Sequence, residues 1–408
     1  MLYRLKDAGF QAHLVGGGVR DLLLGREPKD FDVATDATPE QVKEVFRNCR
    51  LIGRRFRLAH VHFGREIIEV ATFRAAQPEP DPDHQTDAGM ILRDNVYGDI
   101  EDDALRRDFT VNALYYNIED FSVIDYAGGV TDLDAGVLRL MGDPETRYRE
   151  DPVRMLRAVR FAAKLGFIIE RGTEQPIWEL GELMADVPPA RLFEEVLKLF
   201  MSGHGAASFE KLRHYDLFAQ LFPDTDAALA EQEQEFPHTL VLQGLLNTDA
   251  RVQDGKPVTP AFLFAVLLWE PVRLRALALQ AQDLAPYPAL QQAANEVLDR
   301  QLQHVALPRR FSTPMREIWA LQSRFDATKG KRPARLLAHP RFRAAYDFLL
   351  LRAQAGEAEQ SLADWWTDYQ QGKAPSQKPE GDEESRPPSR RRRGGRRRRK
   401  PASREGAE

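Results

Sequence analysis

The sequence predicts an α+β fold, in which a small mixed-sheet head precedes an all-helical neck, body and C-terminal region, with a disordered basic tail at the end. Short β-rich runs separated by turn residues are confined to the first part of the chain. From Asp151 onward, apolar residues recur at spacings of three and four, which is typical of packed helices, as at Leu192, Val196, Leu199 and Phe200, and Gly166 predicts a break between helices. The last residues are rich in Pro, Ser, Gly and charge, and they bury too little apolar surface to fold. The expected domains are residues 1–140, 141–221, 222–371 and 372–408.

The composition allows several cores and argues against membrane and secreted classes. With 408 residues, 43% of them hydrophobic, the chain is long enough for two or three domains. No apolar run approaches the roughly 20 residues that span a bilayer, so we expect no membrane segment. Met1 to Phe10 has neither the basic nor the apolar region of a secretory signal. The single cysteine, Cys49, excludes an internal disulfide, and we expect a cytoplasmic protein.

Charge is distributed unevenly along the chain. Residues 373–408 carry 13 Lys and Arg against 6 Asp and Glu, whereas the whole chain has a net charge of −5. The body is therefore acidic and the tail is strongly basic. A basic segment on an acidic protein indicates a polyanionic partner.

The head begins with a pattern of strand, glycine turn and helix. A short apolar run ends at Val15, three glycines follow from Gly16 to Gly18, and the pattern from Val19 to Leu24 is helical. Backbone amides at such a turn face whatever enters, which suits phosphate. A glycine-rich turn by itself is more often only a tight turn. The spacing differs from the dinucleotide-binding fingerprint, and the Gly-Lys-Ser/Thr of a P-loop is missing.

Asp30 and Asp32 are the candidate metal ligands. They are separated by one residue in an apolar stretch that reads as a strand, so both side chains are expected on the same face. Two carboxylates held close together repel each other unless a divalent cation lies between them. Mg²⁺ is bound by one or two carboxylates together with substrate phosphates. A lone Asp-x-Asp is usually a solvated loop, but its combination with the glycine turn favours nucleotidyl transfer.

These residues resemble the class II nucleotidyltransferases, the superfamily of bacterial poly(A) polymerases and tRNA CCA-adding enzymes. Apart from one spacer residue, the pattern G-G-x-V-R-D, L-L-G, D-x-D is met at Gly17, Gly18, Val19, Arg20, Asp21, Leu23, Leu24, Gly25, Asp30 and Asp32. The resemblance implies that Asp30 and Asp32 hold two divalent ions, Mg²⁺ or alternatively Mn²⁺. It also implies that Gly17, Gly18 and Arg20 contact the nucleotide substrate, ATP.

Three further strands complete the predicted mixed sheet. A helix with a capping box is expected from Thr38 to Phe46. Short β-rich runs follow at Arg50 to Gly53, Ala59 to Phe63 and Ile67 to Phe73. Glu69, in the last run, is either a third carboxylate near the metal ions or an exposed strand glutamate, and the pattern leaves both interpretations open.

The stretch from Leu51 to Val61 is basic and carries a selective motif. Arg54 and Arg55 place positive charge beside the sheet, where triphosphate or RNA could bind, and a solvated basic hairpin is the alternative. The stretch resembles the signature that separates bacterial poly(A) polymerases from their CCA-adding relatives. Every position of the signature is filled, at Leu51, Ile52, Gly53, Arg54, Arg55, Phe56, Leu58, His60 and Val61. We therefore expect Arg54 and Arg55 to bind RNA.

Arg106 to Ala113 resembles the R-R-D-F-T-x-N motif of the same superfamily. The resemblance implies that Arg107 and Asp108 meet the ribose and phosphates of the nucleotide, with Asp108 as part of the catalytic site. A planar arginine fork suits phosphate because it donates hydrogen bonds in pairs. Asp108 as a helix N-cap is a second interpretation that does not exclude the first.

Glu150 to Arg154 resembles the E-D-x-x-R motif, which reads the base edge in CCA-adding relatives. The resemblance implies nucleotide contacts from Asp151 and Arg154. Arg157 follows three residues after Arg154 on the same face of a helix, and we expect it to contact the nucleotide as well. A solvated helix face is the ordinary alternative for both arginines.

The tail contains two arginine runs, Arg390 to Arg393 and Arg396 to Lys400. Such runs indicate an electrostatic grip on RNA, or an arm that binds a protein partner such as an RNA-decay protein. A nuclear address is the weaker interpretation. The expected RNA contacts in the tail are Arg391, Arg392, Arg397 and Arg398.

The hypothesis is a template-independent polynucleotide adenylyltransferase that uses ATP and RNA 3′ ends. A CCA-adding tRNA nucleotidyltransferase would share every metal ligand, but the complete Leu51 to Val61 signature and the basic tail argue against it. A non-catalytic RNA-binding protein on a transferase scaffold is a third possibility, and the intact Asp30 and Asp32 argue against that.

Overall fold

The computed structural model describes residues 1–53, 57–75, 96–232 and 239–373. The predicted RNA contacts Arg54 and Arg55 lie outside these residues, as do residues 77–95, whose prolines and acidic residues predict a loop. The same holds for the predicted contacts in the tail, at Arg391, Arg392, Arg397 and Arg398.

A seven-stranded mixed sheet forms the head, in the strand order β3-β4-β5-β2-β1-β6-β7. Only the pair β2 and β5 is parallel, and each other neighbouring pair is antiparallel. The strands are β1 Ala12–Val15, β2 Asp32–Thr35, β3 Cys49–Ile52, β4 Leu58–Phe63, β5 Glu66–Thr72, β6 Leu114–Asn117 and β7 Val123–Asp125. The predicted mixed sheet is therefore confirmed.

Helices connect these strands. The predicted capping box is present, because the Thr38 side chain accepts from the Gln41 amide while the Gln41 side chain accepts from the Thr38 amide. The helices of the head are α1 Leu2–Asp7, α2 Gly17–Leu23, α3 Pro39–Val45, α4 Ile100–Arg106 and α5 Gly129–Ala135. A one-turn 3₁₀ helix, Thr110–Asn112, leads into β6.

The neck is helical apart from the short strand β9 Ile168–Ile169, which pairs in parallel with β8 Val137–Leu138 at the end of the head; the helical pattern did not predict this pair. Gly166 adopts a φ of 76° at the end of α7, where the sequence predicts a break. The neck helices are α6 Pro144–Glu150, α7 Val153–Leu165, α8 Arg171–Leu180, α9 Pro189–Phe200, α10 Gly205–His214 and α11 Leu217–Leu221, with a 3₁₀ segment at Gly181–Asp186.

The remaining described residues are also helical. They form α12 Pro223–Gln232, α13 Thr239–Gln253, α14 Pro260–Leu267, α15 Trp269–Gln280, α16 Pro286–His304, α17 Arg309–Gln322, α18 Arg332–Leu337, α19 Phe342–Gln354 and α20 Gln360–Gln370. Among the described residues, none of these helices combines the length and the apolar character that crossing a bilayer requires.

One continuous hydrophobic core runs from the head through the neck into the helical body. It includes Val19 of α2, Phe109 of the head and Leu351 of α19. The apolar spacing of α9 predicts its buried face correctly, because Leu192, Val196, Leu199 and Phe200 are all buried. The head and the neck are therefore packed on each other, and this packing places α7 beside the nucleotide motifs.

Candidate active site

The glycine turn allows α2 to lie directly against the segment that carries Asp30. β1 ends at Val15, and Gly16 adopts a φ of 77°, a left-handed conformation that favours glycine. A Cβ atom added to Gly18 would lie 3.2 Å from the carbonyl oxygen of Asp30. Gly18 therefore permits a close approach between helix and backbone, while Gly17 opens the helix.

Asp32 is the first residue of β2, and Asp30 lies before the strand. The prediction that both belong to one strand is therefore wrong for Asp30. The physical reason is that the antiparallel partner, β1, ends at Val15 opposite Asp32, after which Gly16 turns away. With no partner beyond this point on the β1 side, Asp30 packs against Gly18 instead.

The carboxylate of Asp32 lies in an acidic and partly buried environment. Asp32 pairs in register with Glu69 of the parallel strand β5, so the two side chains are neighbours on one face of the sheet. The pKa of Asp32 is raised to about 6, chiefly by burial and then by the negative charges of Glu69 and Asp30, while the positive charge of Arg107 opposes them. Asp30 and Glu69 are thus close enough to Asp32 for their charges to act on its carboxylate.

Glu69 has a second neighbour in His60, which pairs with it across the antiparallel strands β4 and β5. The Nε2 atom of His60 lies 3.3 Å from Oε2 of Glu69. His60 is a position of the basic signature to which the sequence pattern assigned no role. Its place beside the acidic cluster follows from strand register, which the sequence does not show.

The carboxylates at this site suit a divalent ion that also binds substrate. Among residues 1–53, 57–75, 96–232 and 239–373, no three His, Cys, Asp or Glu side chains form a ready metal cage. Mg²⁺ requires only one or two carboxylates, because substrate phosphates and water complete its octahedron. Burial and the charges of Glu69 and Asp30 raise the pKa of Asp32, and a divalent ion bound there would favour its ionised form. Asp30 and Asp32 therefore fit a Mg²⁺ ion whose remaining ligands are substrate phosphates and water.

Arg107 is held by two buried side chains. Its Nε donates to the hydroxyl of Tyr115 at 2.9 Å, and its Nη2 donates to Oδ2 of Asp103 at 3.0 Å. The hydroxyl of Tyr115 in turn donates to the same oxygen of Asp103 at 2.5 Å. The backbone is held as well, because Arg147 donates to the carbonyl oxygen of Arg107 at 2.8 Å.

Asp108 is engaged at both carboxylate oxygens. Oδ1 accepts from the side chain of Asn112 at 3.1 Å and from the amide of Phe109 at 2.8 Å, and Oδ2 accepts from Arg157. The 3₁₀ helix after it has Phe109, not Asp108, as its N-cap, so the N-cap interpretation is wrong. The reason is that Phe109 is extended and bridged to Leu140 before the chain turns.

Arg20 is buried with 2% exposure, and its guanidinium contacts protein side chains. Nη1 donates to the side-chain oxygen of Asn112 at 2.6 Å, and Nε donates to Oδ1 of Asp21 at 2.9 Å. Lys164 of α7 donates to the other oxygen of Asp21 at 3.0 Å. Arg20 thus joins the glycine turn to the R-R-D-F-T-x-N motif and the neck, and its direct contact with nucleotide stays a prediction.

The E-D-x-x-R residues are paired within the protein. Arg154 donates through Nη1 to Oε2 of Glu150 at 2.8 Å, and only 12% of its side chain is exposed. Both oxygens of Asp151 accept from Arg191 of α9, at 2.7 Å each. Arg157 donates to Asp108 with 31% of its side chain exposed. A solvated helix face is therefore the wrong interpretation for Arg154 and Arg157, because the helix packs back onto the head motif.

Comparison with known proteins places this site in a family. Three family models match: "Poly A polymerase head domain" over residues 12–139, "Probable RNA and SrmB- binding site of polymerase A" over 166–229, and "Polymerase A arginine-rich C-terminus" over 282–400. The poly(A) polymerase I of Salmonella typhi is 53% identical over 385 residues, which are 93% of this chain and 83% of that protein. The chain belongs to the bacterial poly(A) polymerase family.

CCA-adding enzymes are more distant relatives of this poly(A) polymerase family chain. The CCA-adding enzyme of Lactobacillus helveticus is 40% identical over 213 residues, which are 52% of this chain and 51% of that protein. The crystal structure of the Bacillus stearothermophilus CCA-adding enzyme in complex with CTP is 25% identical, with a TM-score of 0.54, and the match covers 91% of this chain and 80% of that one. The chain therefore shares its fold with the CCA-adding enzymes, while its sequence identity is higher, and extends over more of the chain, with the poly(A) polymerases.

Sequence reasoning missed several residues of this poly(A) polymerase family site. Asp103 and Tyr115 hold Arg107, Arg191 holds Asp151, and Asn112 links Asp108 to Arg20. Asn112 belongs to the R-R-D-F-T-x-N motif, so the motif itself was a signal for it. Asp103 precedes Arg107 by one helical turn, and this spacing of four was the available signal for a charged pair. Tyr115 and Arg191 offered none.

Proposed function

We propose that the chain is a template-independent polynucleotide adenylyltransferase, which transfers AMP from ATP to RNA 3′ ends and releases pyrophosphate. The observation that carries the proposal is the partly buried Asp32, whose carboxylate feels the charges of Glu69 and Asp30, in a chain that is 53% identical to a poly(A) polymerase I over 93% of its length. No covalent intermediate is needed, because the RNA hydroxyl attacks the α-phosphate directly.

Asp30 and Asp32, with Glu69 as a further candidate, would hold two divalent ions, Mg²⁺ or Mn²⁺. When bound, such ions lower the pKa of the attacking 3′-hydroxyl and stabilise the charge on the pyrophosphate leaving group. The chain's own contribution is to place these carboxylates in register across β2 and β5. Burial at this site also strengthens every charge interaction made there.

The nucleotide would be bound by the glycine turn and by the two motifs around α7. Gly17 opens α2, Gly18 lets this helix lie against the backbone of Asp30, and Arg107 directs its guanidinium toward the turn. Burial tends to raise the pKa of Asp108, but the charge of Arg157 outweighs it and keeps that pKa well below its usual value. Asp108 therefore stays ionised and can accept a hydrogen bond from a ribose hydroxyl. Arg20, Asp151, Arg154 and Arg157 complete the proposed contacts.

RNA would be bound along basic segments and the helical region after the head. We propose Arg54 and Arg55 as contacts beside the catalytic sheet, and the arginine runs of the tail as a sequence-independent grip. The same runs are a candidate docking site for RNA-decay proteins. We place the reaction in the bacterial cytoplasm, where both ATP and RNA are available.

The decisive experiment is incubation of generic RNA and of tRNA lacking its 3′ end with each labelled nucleoside triphosphate. We expect long tails with ATP alone, on any RNA, and none after chelation of divalent ions. The variants Asp30→Asn and Asp32→Asn should lose transfer by several kcal/mol of transition-state stabilisation while remaining folded. Asp36→Asn is the matched control, because Asp36 follows the same strand and is exposed.

Three results would contradict the proposal. Addition limited to C, C and A on tRNA ends would identify a CCA-adding enzyme. RNA binding without any transfer would identify a non-catalytic scaffold. Near wild-type activity of either aspartate variant with Mg²⁺ would remove the metal assignment.

A further inference from the structure

The guanidinium of Arg107 has one edge occupied and one edge open. Nε and Nη2 donate to Tyr115 and Asp103, which also bond to each other. Among the described residues, none accepts a hydrogen bond from Nη1, so this nitrogen can donate to a ligand. Nη1 lies 3.5 Å from the position that a Cβ of Gly16 would take. The open edge thus faces the glycine turn, and its charge reaches Asp32.

The residues that hold Arg107 are more deeply buried than Arg107 itself. Tyr115 is 0% exposed, and 9% of the Asp103 side chain is accessible, whereas 23% of the Arg107 side chain is accessible. Hydrogen bonds in such a low-dielectric environment are stronger than at the surface and fix geometry. Burial also raises the pKa of the Tyr115 hydroxyl, which therefore keeps its proton and donates it to Asp103.

Asp103 is itself fixed by the backbone, since its Oδ1 accepts from the amide of Arg74 at 3.2 Å. Arg107 is therefore linked through Asp103 to α4 and to the segment that follows β5, and through Tyr115 to β6. Because one edge of the Arg107 guanidinium is already held, its other edge can bind a ligand with little further loss of side-chain rotamer entropy.

We infer that Asp103 and Tyr115 are positioning residues, which hold the open edge of Arg107 toward the triphosphate of the incoming nucleotide. The inference rests on the proposed adenylyl transfer and deepens it, because it assigns the binding of phosphate to a three-residue unit. Its specific consequence is that loss of either residue weakens the binding of ATP more than the binding of adenosine.

The test is to measure ATP and adenosine dissociation constants by calorimetry for the full chain and its variants. Tyr115→Phe removes only the hydroxyl and should weaken ATP binding by about three- to tenfold, the effect of one hydrogen bond, while adenosine binding changes less than about twofold. Asp103→Asn is the second variant and should act in the same direction. The matched control is Tyr116→Phe, the next residue of β6, because the hydrogen bonds that hold Arg107 and Asp103 do not involve Tyr116.

A double-mutant cycle separates positioning from a general structural effect. In an Arg107→Ala background, Tyr115→Phe should cause no further loss of ATP affinity, because it acts through Arg107. Equal losses for ATP and adenosine, unchanged ATP affinity, or a full additional loss in the Arg107→Ala background would each overturn the inference. If instead the wild-type chain adds no AMP to RNA, the proposed function fails, and this result is distinguishable because it does not involve the variants.

Discussion

Arg157 and Asp108 are 49 residues apart in the chain, yet Arg157 donates from both Nε and Nη2 to the same carboxylate oxygen, Oδ2, of Asp108. Arg157 belongs to the neck helix α7, and Asp108 belongs to the head motif. The pair therefore joins the two regions at the nucleotide site and keeps Asp108 ionised despite its burial.

Arg157→Gln is expected to destabilise the protein by about 2–4 kcal/mol at pH 7, because it leaves a buried carboxylate without its cation. The depressed pKa of Asp108 adds stability above its unfolded value near 4, and this stability is lost as the pH falls through the lower folded value. The variant should lose this acid sensitivity. Urea unfolding across pH measures both effects. Arg149→Gln, in an exposed pair with Glu145, is the control and should change stability by less than about 1 kcal/mol.

Asp32→Asn is expected to stabilise the protein when divalent ions are absent. The raised pKa of Asp32 means that its contribution to stability is fully present below its unfolded value near 4 and is lost as the pH rises through about 6. At pH 7.5 the variant should therefore be more stable than wild type by about 1–2 kcal/mol, and the difference should vanish toward pH 4.

Thermal melts with and without Mg²⁺ check this prediction. Mg²⁺ should stabilise the wild-type protein and have little effect on Asp32→Asn. A wild-type protein as stable as the variant in chelator at pH 7.5 would show that Asp32 is not under electrostatic strain.

Glu69→Gln distinguishes the two interpretations of this glutamate. If Glu69 contributes to ion binding, the variant should bind Mn²⁺ at least about tenfold more weakly, as measured by electron paramagnetic resonance. Glu66→Gln, at the exposed start of the same strand, is the matched control. Equal Mn²⁺ affinity in both variants would identify Glu69 as an ordinary strand glutamate.

Truncation after Gln371 is expected to weaken RNA binding and to flatten its salt dependence. The segment from Arg390 to Lys400 supplies nine positive charges, and each phosphate that it neutralises adds roughly 0.7 to the slope of log affinity against log salt. Adenylation at saturating RNA should stay close to the full-length rate, because the tail carries no residue suited to the chemistry. Identical slopes for the two chains would show that the tail contacts no phosphate and would favour a protein partner.

Local patterns in the sequence determined the elements of the head and the identity of the site. The capping box at Thr38, the strand that contains Glu69 and the break at Gly166 are all found where they were predicted. These features depend on residues a few positions apart, whose backbone preferences act before any tertiary contact forms. The metal-ligand candidates could be named for the same reason, since Asp30 and Asp32 are near neighbours in the chain.

Only the tertiary structure decided which groups meet. Glu69 lies beside Asp32 because β5 pairs with β2 in one particular register, and a shift of one residue would move it to the other face. Asp103 and Tyr115 hold Arg107 because α4 and β6 converge there. Sequence periodicity shows which side of an element is apolar but not which charged group lies opposite, because hydrogen bonds and ion pairs depend on distances that arise only when distant segments pack together.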